Sequence, residues 1–477
     1  MSPTPPSEVP VLIAGAGPAG LATAVTLARQ GIPYLLVERR QEVSGLPRAT
    51  SLSIRSMELL RSWGLDAEVR AGGVEVDWLI WESETLATAA SGIGHTTGMP
   101  TREQSAVISP VAPECVPQDH LEQVLLDDLD SLGIGHVERG TEVVETLNLP
   151  DGVLVSLRDV ESGRTRSLRA RYLVAGDGAH SSVRRDLGVA MNGLDRLAHI
   201  VTALFRAPLW DMLPEDRYGL YSITHPDANS VLVPAGRGGR WLFGIEYPPN
   251  HESPDDYPPE RLAELIRIAV GDDAIDPQIE RTGSFTFAAL LAEQFRVGNV
   301  FLAGDAAHRV TPRGGTGLNT ALHDGHDLGW KLAWVLNEWA SPDLLDTYEG
   351  ERRPVAEHNI ARSVDEYGSR RPVAQELHTD LGGRIPHVWL PSLGPDVSSL
   401  DLLGPGYTLF TGPDRSYVQP VVADLPDGAP VVIRSLDALG ARALGIRRDG
   451  ALLVRPDGVP AGAWHSGENA HEALRAA

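Results

Sequence analysis

One cysteine, Cys115, occurs in 477 residues. A lone thiol cannot close an internal disulfide, form a CxxC redox pair or build a zinc cage, which fits a reducing cytosol. The histidines and acidic residues show no HExxH or similar ligand spacing, so no metal is implied. Basic residues are scarce beside acidic ones: 41 Lys plus Arg against 64 Asp plus Glu give a formal charge of −23. Such a surface repels phosphate polyanions and anionic lipid, which argues against nucleic acid and membrane partners; solubility is its plain meaning. There is no long repeat and no low-complexity tract. The one long uncharged stretch, Val11 to Ala28, has 18 residues but contains three glycines and Pro18, and Glu8 is the only charge ahead of it. It therefore reads as a buried strand, a tight turn and a buried helix, not as a membrane span or signal peptide, and a cytoplasmic protein is expected.

What remains is ordinary: 42% hydrophobic and 22% charged residues exclude disorder and fibrous repeats. The length suggests about three domains, or two large ones. Val9 to Ala14 reads as a strand, Gly15 to Gly20 as a turn, Leu21 to Arg29 as a helix ending at Gly31, and Tyr34 to Glu38 as a second strand, together a βαβ unit. Helices are expected over Ser53–Trp63 and Leu121–Leu132, strands over Val153–Leu157 and Arg171–Ala175, and a β-rich middle around Ile200–Trp210 and Arg240–Tyr247. Asn250–Glu260 reads as an exposed loop, and beyond Gly382 short apolar runs between Pro/Gly turns suggest a small α/β unit.

Three motifs carry chemistry. The first, Gly15-Ala16-Gly17-Pro18-Ala19-Gly20, is a GxGxxG between a strand and a helix. Its first glycine permits the turn, its second lets the backbone approach a pyrophosphate, and its third lets helix and strand pack closely. The helix N-terminus offers free amides, and Glu38, at the end of the next strand, can accept ribose hydroxyls. This motif alone does not separate FAD from NAD. The second runs Leu302 to His308 and continues through Pro312, Gly314, Gly315, Gly317, Leu318 and Asn319. Again a strand enters a glycine turn and a helix; Asp305 can bind a sugar or ribityl hydroxyl, and the helix aims its positive end at the site. His308 reads as a local packing or capping residue. The third, Tyr172 to Arg185, contains Asp177-Gly178 and reads alone as a strand-to-helix turn with a capping serine.

In order and spacing the three motifs resemble the class A flavoprotein aromatic monooxygenases, the para-hydroxybenzoate hydroxylase fold, and are most similar to the actinobacterial phenol, polyketide and indolocarbazole hydroxylases of antibiotic biosynthesis. The resemblance continues through Trp330-Lys331-Leu332 and Tyr348 to Pro354, covers about residues 9 to 365 and extends more loosely over the rest. It implies an α/β architecture: a Rossmann-like FAD-binding domain (1–75, 111–189 and 286–375), an inserted β-rich substrate domain (76–110 and 190–285) and a small thioredoxin-like domain without cysteines (383–477). It implies FAD with Gly15, Gly17, Pro18, Ala19 and Gly20 at the pyrophosphate and Glu38 at the ribose. Arg48 would lie near the phosphates and ring, Gln118 would contact the cofactor, and Asp177 would link flavin and nicotinamide binding. Gly304-Asp305 would take the ribityl chain, and Pro312 with Gly314 to Asn319, including Gly315, Gly317 and Leu318, would line the isoalloxazine. Arg39, Arg184 and Arg185 would either recruit the nicotinamide phosphate or serve the surface. NAD(P)H would bind transiently, consistent with the lack of a second GxGxxG, and reduced FAD would react with O2 to a C4a-hydroperoxide that hydroxylates an electron-rich ring. The C-terminal part, with no cysteine, would give structural support or a dimer contact rather than disulfide exchange.

The region of the substrate domain holds many aromatics, most of them core residues by expectation. His95, His225, Tyr221 and Arg206 could assist a phenol hydroxyl, but no spacing selects among them, so no catalytic base is assigned. The leading reading is NAD(P)H- and O2-dependent hydroxylation of a phenolic or polycyclic natural product. Baeyer–Villiger or epoxidising oxygen insertion, and an FAD-containing protein that binds without oxygenating, are the alternatives.

Overall fold

The computed structural model describes residues 8–213, 215–365, 367–414 and 430–464. In chain order its main elements are β1 (Glu8–Ala14), α1 (Pro18–Arg29), β2 (Tyr34–Glu38), α2 (Ile54–Ser62), β3 (Asp77–Ser83), β4 (Ile93–Thr96), α3 (Gln118–Leu132), β5 (His136–Arg139), β6 (Thr141–Leu149), β7 (Gly152–Asp159) and β8 (Thr165–Ala175). There follow β9 (Met191–Arg206), β10 (Tyr218–Ile223), β11 (Ser230–Pro234), β12 (Arg240–Glu246), α4 (Pro259–Val270), β13 (Gln278–Ala292), β14 (Val300–Leu302), α5 (Gly317–Leu336), α6 (Thr347–Val364) and α7 (Val373–Leu381).

Continuous apolar runs make β1, β2, β8 and β14 strands that helices can cover on both faces. They pair in parallel, in the order β14-β8-β1-β2-β5, with Arg296–Val297 at the β14 edge and β7 and β6 added antiparallel beyond β8. Val11, Leu12 and Ile13 are fully buried at the sheet centre. Helix α1 starts at Pro18, three residues before the expected Leu21, because proline is favoured at the first helical position. Gly325 and Gly329, four residues apart on one face of α5, let α1 come close: a Cβ on Gly325 would sit 2.2 Å from the Ala19 carbonyl oxygen. The helices behind the two glycine turns are thus locked to each other.

The second sheet has the order β13-β9-β12-β11-β10-β3-β4, with His308–Arg309 against β13. Its strands alternate. Val201, Ala203, Phe205, Tyr221, Trp241 and Phe243 face α4 and form a separate core with Leu262 and Ile266. The alternate residues, among them Leu204, Leu220, Val233 and Leu242, face the other way with Val231 and Phe285, which stay 36% and 43% exposed. β13 continues past 285 to Ala292, which is buried in the core of the first sheet. The expected loop at Asn250–Glu260 holds a short 3-10 turn, Pro254–Asp256, before α4 begins at Pro259.

The C-terminal unit is a four-stranded sheet ordered Val431–Ser435, Tyr407–Thr411, Ala451–Val454, Pro460–Trp464, with a short helix at Ala438–Ala443. It is held to the rest of the chain by ion pairs. Arg384 spans both Glu58 carboxylate oxygens at 2.6 and 3.0 Å, with both side chains buried. Arg455 spans those of Glu351, whose Oε2 also accepts from the buried Lys331. Among the described residues no helix is long and apolar enough to cross a membrane.

Candidate functional site

The GxGxxG turn shows three different steric situations. A Cβ on Gly15, where φ is +98°, would lie 2.4 Å from the Gly176 oxygen, and one on Gly20 would lie 1.9 Å from the Gly15 oxygen. Both glycines are required by the protein itself. A Cβ on Gly17 would meet nothing within 4 Å, although Gly17 is the N-cap of α1 and no side chain caps that end. This is free space over unbonded helix amides, the geometry a pyrophosphate needs. Pro18 and Ala19 form the first turn behind it, and Glu38 braces it: Oε2 accepts from Ala16 N at 2.8 Å and Oε1 from Arg40 N at 2.9 Å. Arg39 is exposed.

Gln118 opens α3, its amide nitrogen donating to Ala49 O, and its side chain donates to Glu122 at 2.6 Å. The strand-loop carrying Arg48 is thereby fixed beside α3, with the Arg48 side chain exposed. Glu122 was not legible as a site residue, although its place one turn after Gln118 on the same helix face is the signal that could have found it. Burial pushes its carboxyl up to about 7; the Gln118 hydrogen bond and the Arg48 and Arg139 charges oppose the shift, and the Glu38 charge adds to it.

At the third motif, Asp177 Oδ2 accepts weakly from Val183 N at 3.3 Å and Ser182 Oγ at 3.4 Å, while Oδ1 is buried with no partner among the described residues. Burial raises its pKa. An orphaned carboxylate oxygen beside the glycine turn is a group awaiting a donor. Arg184 is buried and donates to the Ala306 and Ala179 carbonyls, so it ties this turn to the Gly304-Asp305 turn. Arg185 bonds the His180 carbonyl at the surface.

Gly304 takes φ +59° between Ala19 and Ala321, so the second glycine turn rests on the first turn of α1. Asp305 is half-buried and makes no hydrogen bond within the described chain, which leaves its carboxylate for a ligand hydroxyl. Beneath it lies a buried triad. Asp324 Oδ2 accepts from Gly304 N at 3.1 Å and contacts His308 Nε2 at 2.6 Å, and its Oδ1 accepts from Arg352 Nε at 2.8 Å. Burial alone would raise the Asp324 pKa; the His308 and Arg352 charges and bonds bring it down to about 2. His308 is thus a packing residue of the turn, as read from sequence; Asp324 has no local mark, and Arg352, though within the Tyr348 to Pro354 run, was given no role.

Pro312 to Thr316 lead into α5 through Gly314 and Gly315, both with positive φ. No side chain caps α5, so the amides of Gly317 and Leu318 at its first turn are open. Asn319 differs from expectation in how it acts. Its Oδ1 accepts from Ser53 N and Ser56 Oγ, and its Nδ2 donates to the Ser51 and Gly315 carbonyls. All its hydrogen-bonding capacity is spent fastening α2 and the Gly315 turn to α5. The cavity beyond this loop, lined by Ser53, Met99, Gly315, Arg362 and Asp380, measures about 50 Å³, room for water but not for a ring system.

The open apolar face of the second sheet borders the loop that carries Arg48. Leu46 lies over Gly283, where a Cβ would meet it at 2.7 Å, and Arg240 donates to Gly45 O and Asp119. Of the four residues considered for assisting a phenol, two point away. Tyr221 faces the α4 core and accepts from Tyr218 N, and His225 caps an exposed turn. His95 lies on the cleft side, as does Arg206, two residues past Leu204, with its guanidinium held by Glu280. Cys115 is buried against Pro234 O, and burial pushes its thiol up to about 12, so it is unreactive.

Comparison with known proteins agrees with this geometry. Residues 8–363 match the FAD binding domain family, and residues 378–477 match the aromatic-ring hydroxylase C-terminal family. The chain is 35% identical to aklavinone 12-hydroxylase RdmE of Streptomyces purpurascens, over 98% of this chain and 97% of the relative. Its structure resembles that of the flavin-dependent monooxygenase PieE with FAD and substrate (TM-score 0.88, 27% identity, 99% and 98% of the two chains). It also resembles aklavinone-11 hydroxylase in complex with FAD and aklavinone (TM-score 0.87, 32% identity, 99% of each chain).

Proposed function

Because the chain belongs to the FAD-binding aromatic-ring hydroxylases, we propose that it inserts one oxygen atom of O2 into a phenolic, polycyclic natural product at the expense of NAD(P)H. One observation carries this reading: an apolar sheet face, left partly exposed at Val231 and Phe285, borders the loop at Gly45–Arg48. An exposed apolar surface beside a polar cofactor cradle suits a flat aromatic guest.

The residues present fit FAD. Gly17 leaves space over the open amides of α1, Asp177 holds an unpaired buried oxygen, Asp305 has a free carboxylate, and α5 presents an uncapped N-terminus. Gly15 to Gly20 would hold the pyrophosphate, Asp305 the ribityl hydroxyls, and the Gly314–Leu318 backbone the ring. When bound, FAD supplies the redox chemistry, taking electrons from NAD(P)H and activating O2. The chain itself does the rest. The α5 N-terminus stabilises negative charge at its open amides. Leu204, Leu220, Val231, Val233 and Leu242 form an apolar surface that would exclude water beside a bound aromatic guest. Arg48, exposed at the cleft, supports an anionic partner.

The test is direct. FAD-loaded protein should oxidise NADPH slowly alone and faster with hydroxyanthraquinones, and labelled O2 should add a single heavy oxygen atom to the product. Binding without faster NADPH oxidation would favour a non-oxygenating protein, and an ester or lactone product would favour Baeyer–Villiger chemistry.

A further inference from the structure

The cleft face of the second sheet is polar at two ends: Arg206, Arg240 and Arg281 stand beside the Gly45 loop, and Glu82, His95 and Ser222 stand at the β3–β4 end. Trp81 packs toward the α4 core, so its neighbours Ile80 and Glu82 face the cleft. His95 pairs directly with Ile80 and shares that face, and Ser222 lies beside Glu82 in the β3–β10 ladder. Across the sheet the same face continues through Leu220, Val231, Val233, Leu242 and Leu204, none of which can form a side-chain hydrogen bond.

Within the β3–β4 end, the partners are unequal. The Glu82 carboxylate is taken by Arg370 at 2.8 Å. His95 Nε2 stands 3.8 Å from the same carboxylate, outside hydrogen-bond range, and is buried with no partner among the described residues. A sheltered ring nitrogen left unpaired is costly unless a guest supplies the bond. Beyond β4 the chain reaches Met99, which lies against Gly315 at the cofactor loop. Met99 follows His95 by four positions, so their Cα atoms lie within about 14 Å of each other. That span suits several fused rings.

We propose that His95 is a specificity-determining residue whose free ring nitrogen hydrogen-bonds an oxygen substituent on the substrate ring farthest from the flavin. The assignment rests on the hydroxylase reading and deepens it: the substrate class becomes polycyclic aromatics that are oxygenated on the ring remote from the one attacked. The apolar floor sets the plane of the guest, and His95 sets how far it slides along that floor.

Two symmetric probes test this: 2,6-dihydroxyanthraquinone, which presents a terminal hydroxyl in either orientation, and 9,10-anthraquinone, which has none on its terminal rings. Binding to the FAD-loaded protein is read from the absorbance change of the probe, without turnover. His95→Phe should weaken the dihydroxy probe about tenfold and leave the parent unchanged, and His95→Gln, which keeps a hydrogen-bonding group, should restore most of the loss. His95→Ala repeats the measurement if the phenylalanine variant does not retain FAD. Equal weakening of both probes, or of neither, overturns the assignment. If the selective tenfold loss stands while neither probe accelerates NADPH oxidation in the wild type, His95 is retained and the hydroxylase reading falls. Turnover with an indifferent His95→Phe does the reverse.

Discussion

Replacing Asp324 by asparagine should weaken the chain more than an isosteric change suggests. The carboxylate is fully buried and faces three donors: Gly304 N at 3.1 Å, His308 Nε2 at 2.6 Å and Arg352 Nε at 2.8 Å. An amide offers one oxygen and one NH2. If the oxygen serves Gly304 and His308, the NH2 points at the Arg352 guanidinium, donor against donor; the flipped amide turns the same conflict on the glycine turn. Arg352 would also remain as an uncompensated buried cation, a loss of about 3–5 kcal/mol. Because Gly304 is held at φ +59°, the strain falls on the neighbour of Asp305, and FAD affinity should drop more than tenfold. Denaturant unfolding of FAD-free protein measures the first effect and flavin fluorescence titration the second. Asp324→Asn with Arg352→Met should be less destabilised than Asp324→Asn alone, since the stranded cation is gone. A single variant within about 1 kcal/mol of wild type, with unchanged FAD affinity, would refute this account of the turn. The pH dependence has a defined sign as well. The folded pKa, about 2, lies below the ordinary 3.8, so this contribution is complete above about pH 4 and is lost as pH falls toward 2.

Three further outcomes follow from the same geometry. Gly17→Ala should leave the FAD-free protein within about 1 kcal/mol of wild type, because its Cβ meets open space, yet reduce FAD affinity at least tenfold, whereas Gly20→Ala should impair folding itself, with a clash at 1.9 Å; melting with and without FAD separates them. Glu122, with a folded pKa near 7 raised by burial, binds its proton more tightly folded than unfolded, so its contribution to stability declines as pH rises from about 4.5 to 7. FAD affinity should decline severalfold from pH 6 to 8 as a negative charge appears beside the cradle, and Glu122→Gln should flatten that titration. Arg384→Met leaves the buried Glu58 carboxylate with Arg55 as its one cation and unties the C-terminal unit from α2, which should cost about 1–3 kcal/mol at the junction, read as faster proteolysis between α7 and the C-terminal sheet.

The legible parts of this site were those encoded by short spacing. Strand, glycine turn, helix and acidic strand end lie within residues 9–38, and each glycine of that run occupies a steric situation matching its expected part. The second sheet was legible only as a β-rich region, since its order interleaves strands from both sides of the FAD-binding segments and alternation alone does not say which face meets the cofactor. Asp324 and Arg352 escaped notice because they act on Gly304 from 20 and 48 positions away, across a helix pair. Asn319 stands among residues that suggest ligand contact, yet its hydrogen bonds are spent within the protein. Motif spacing shows where a side chain lies, and only the partners of its polar atoms show whether it is free to act.

The same accounting explains the C-terminal unit. It has no cysteine, so redox exchange is closed to it, and its charged contacts lead inward. Lys331, the only lysine in the chain, is fully buried on α5 between Asp327 at 2.8 Å and Glu351 at 3.0 Å. Glu351 in turn is spanned by Arg455, which also pairs with Asp457. Three carboxylates converging in one place would repel one another; a cation from α5 and one from the C-terminal sheet make the cluster hold. Since the opposite end of α5 is the uncapped N-terminus at the cofactor cradle, the unit fixes the far end of the helix whose dipole serves the site. Its contribution is therefore to the placement of α5, with the chemistry left to the other end.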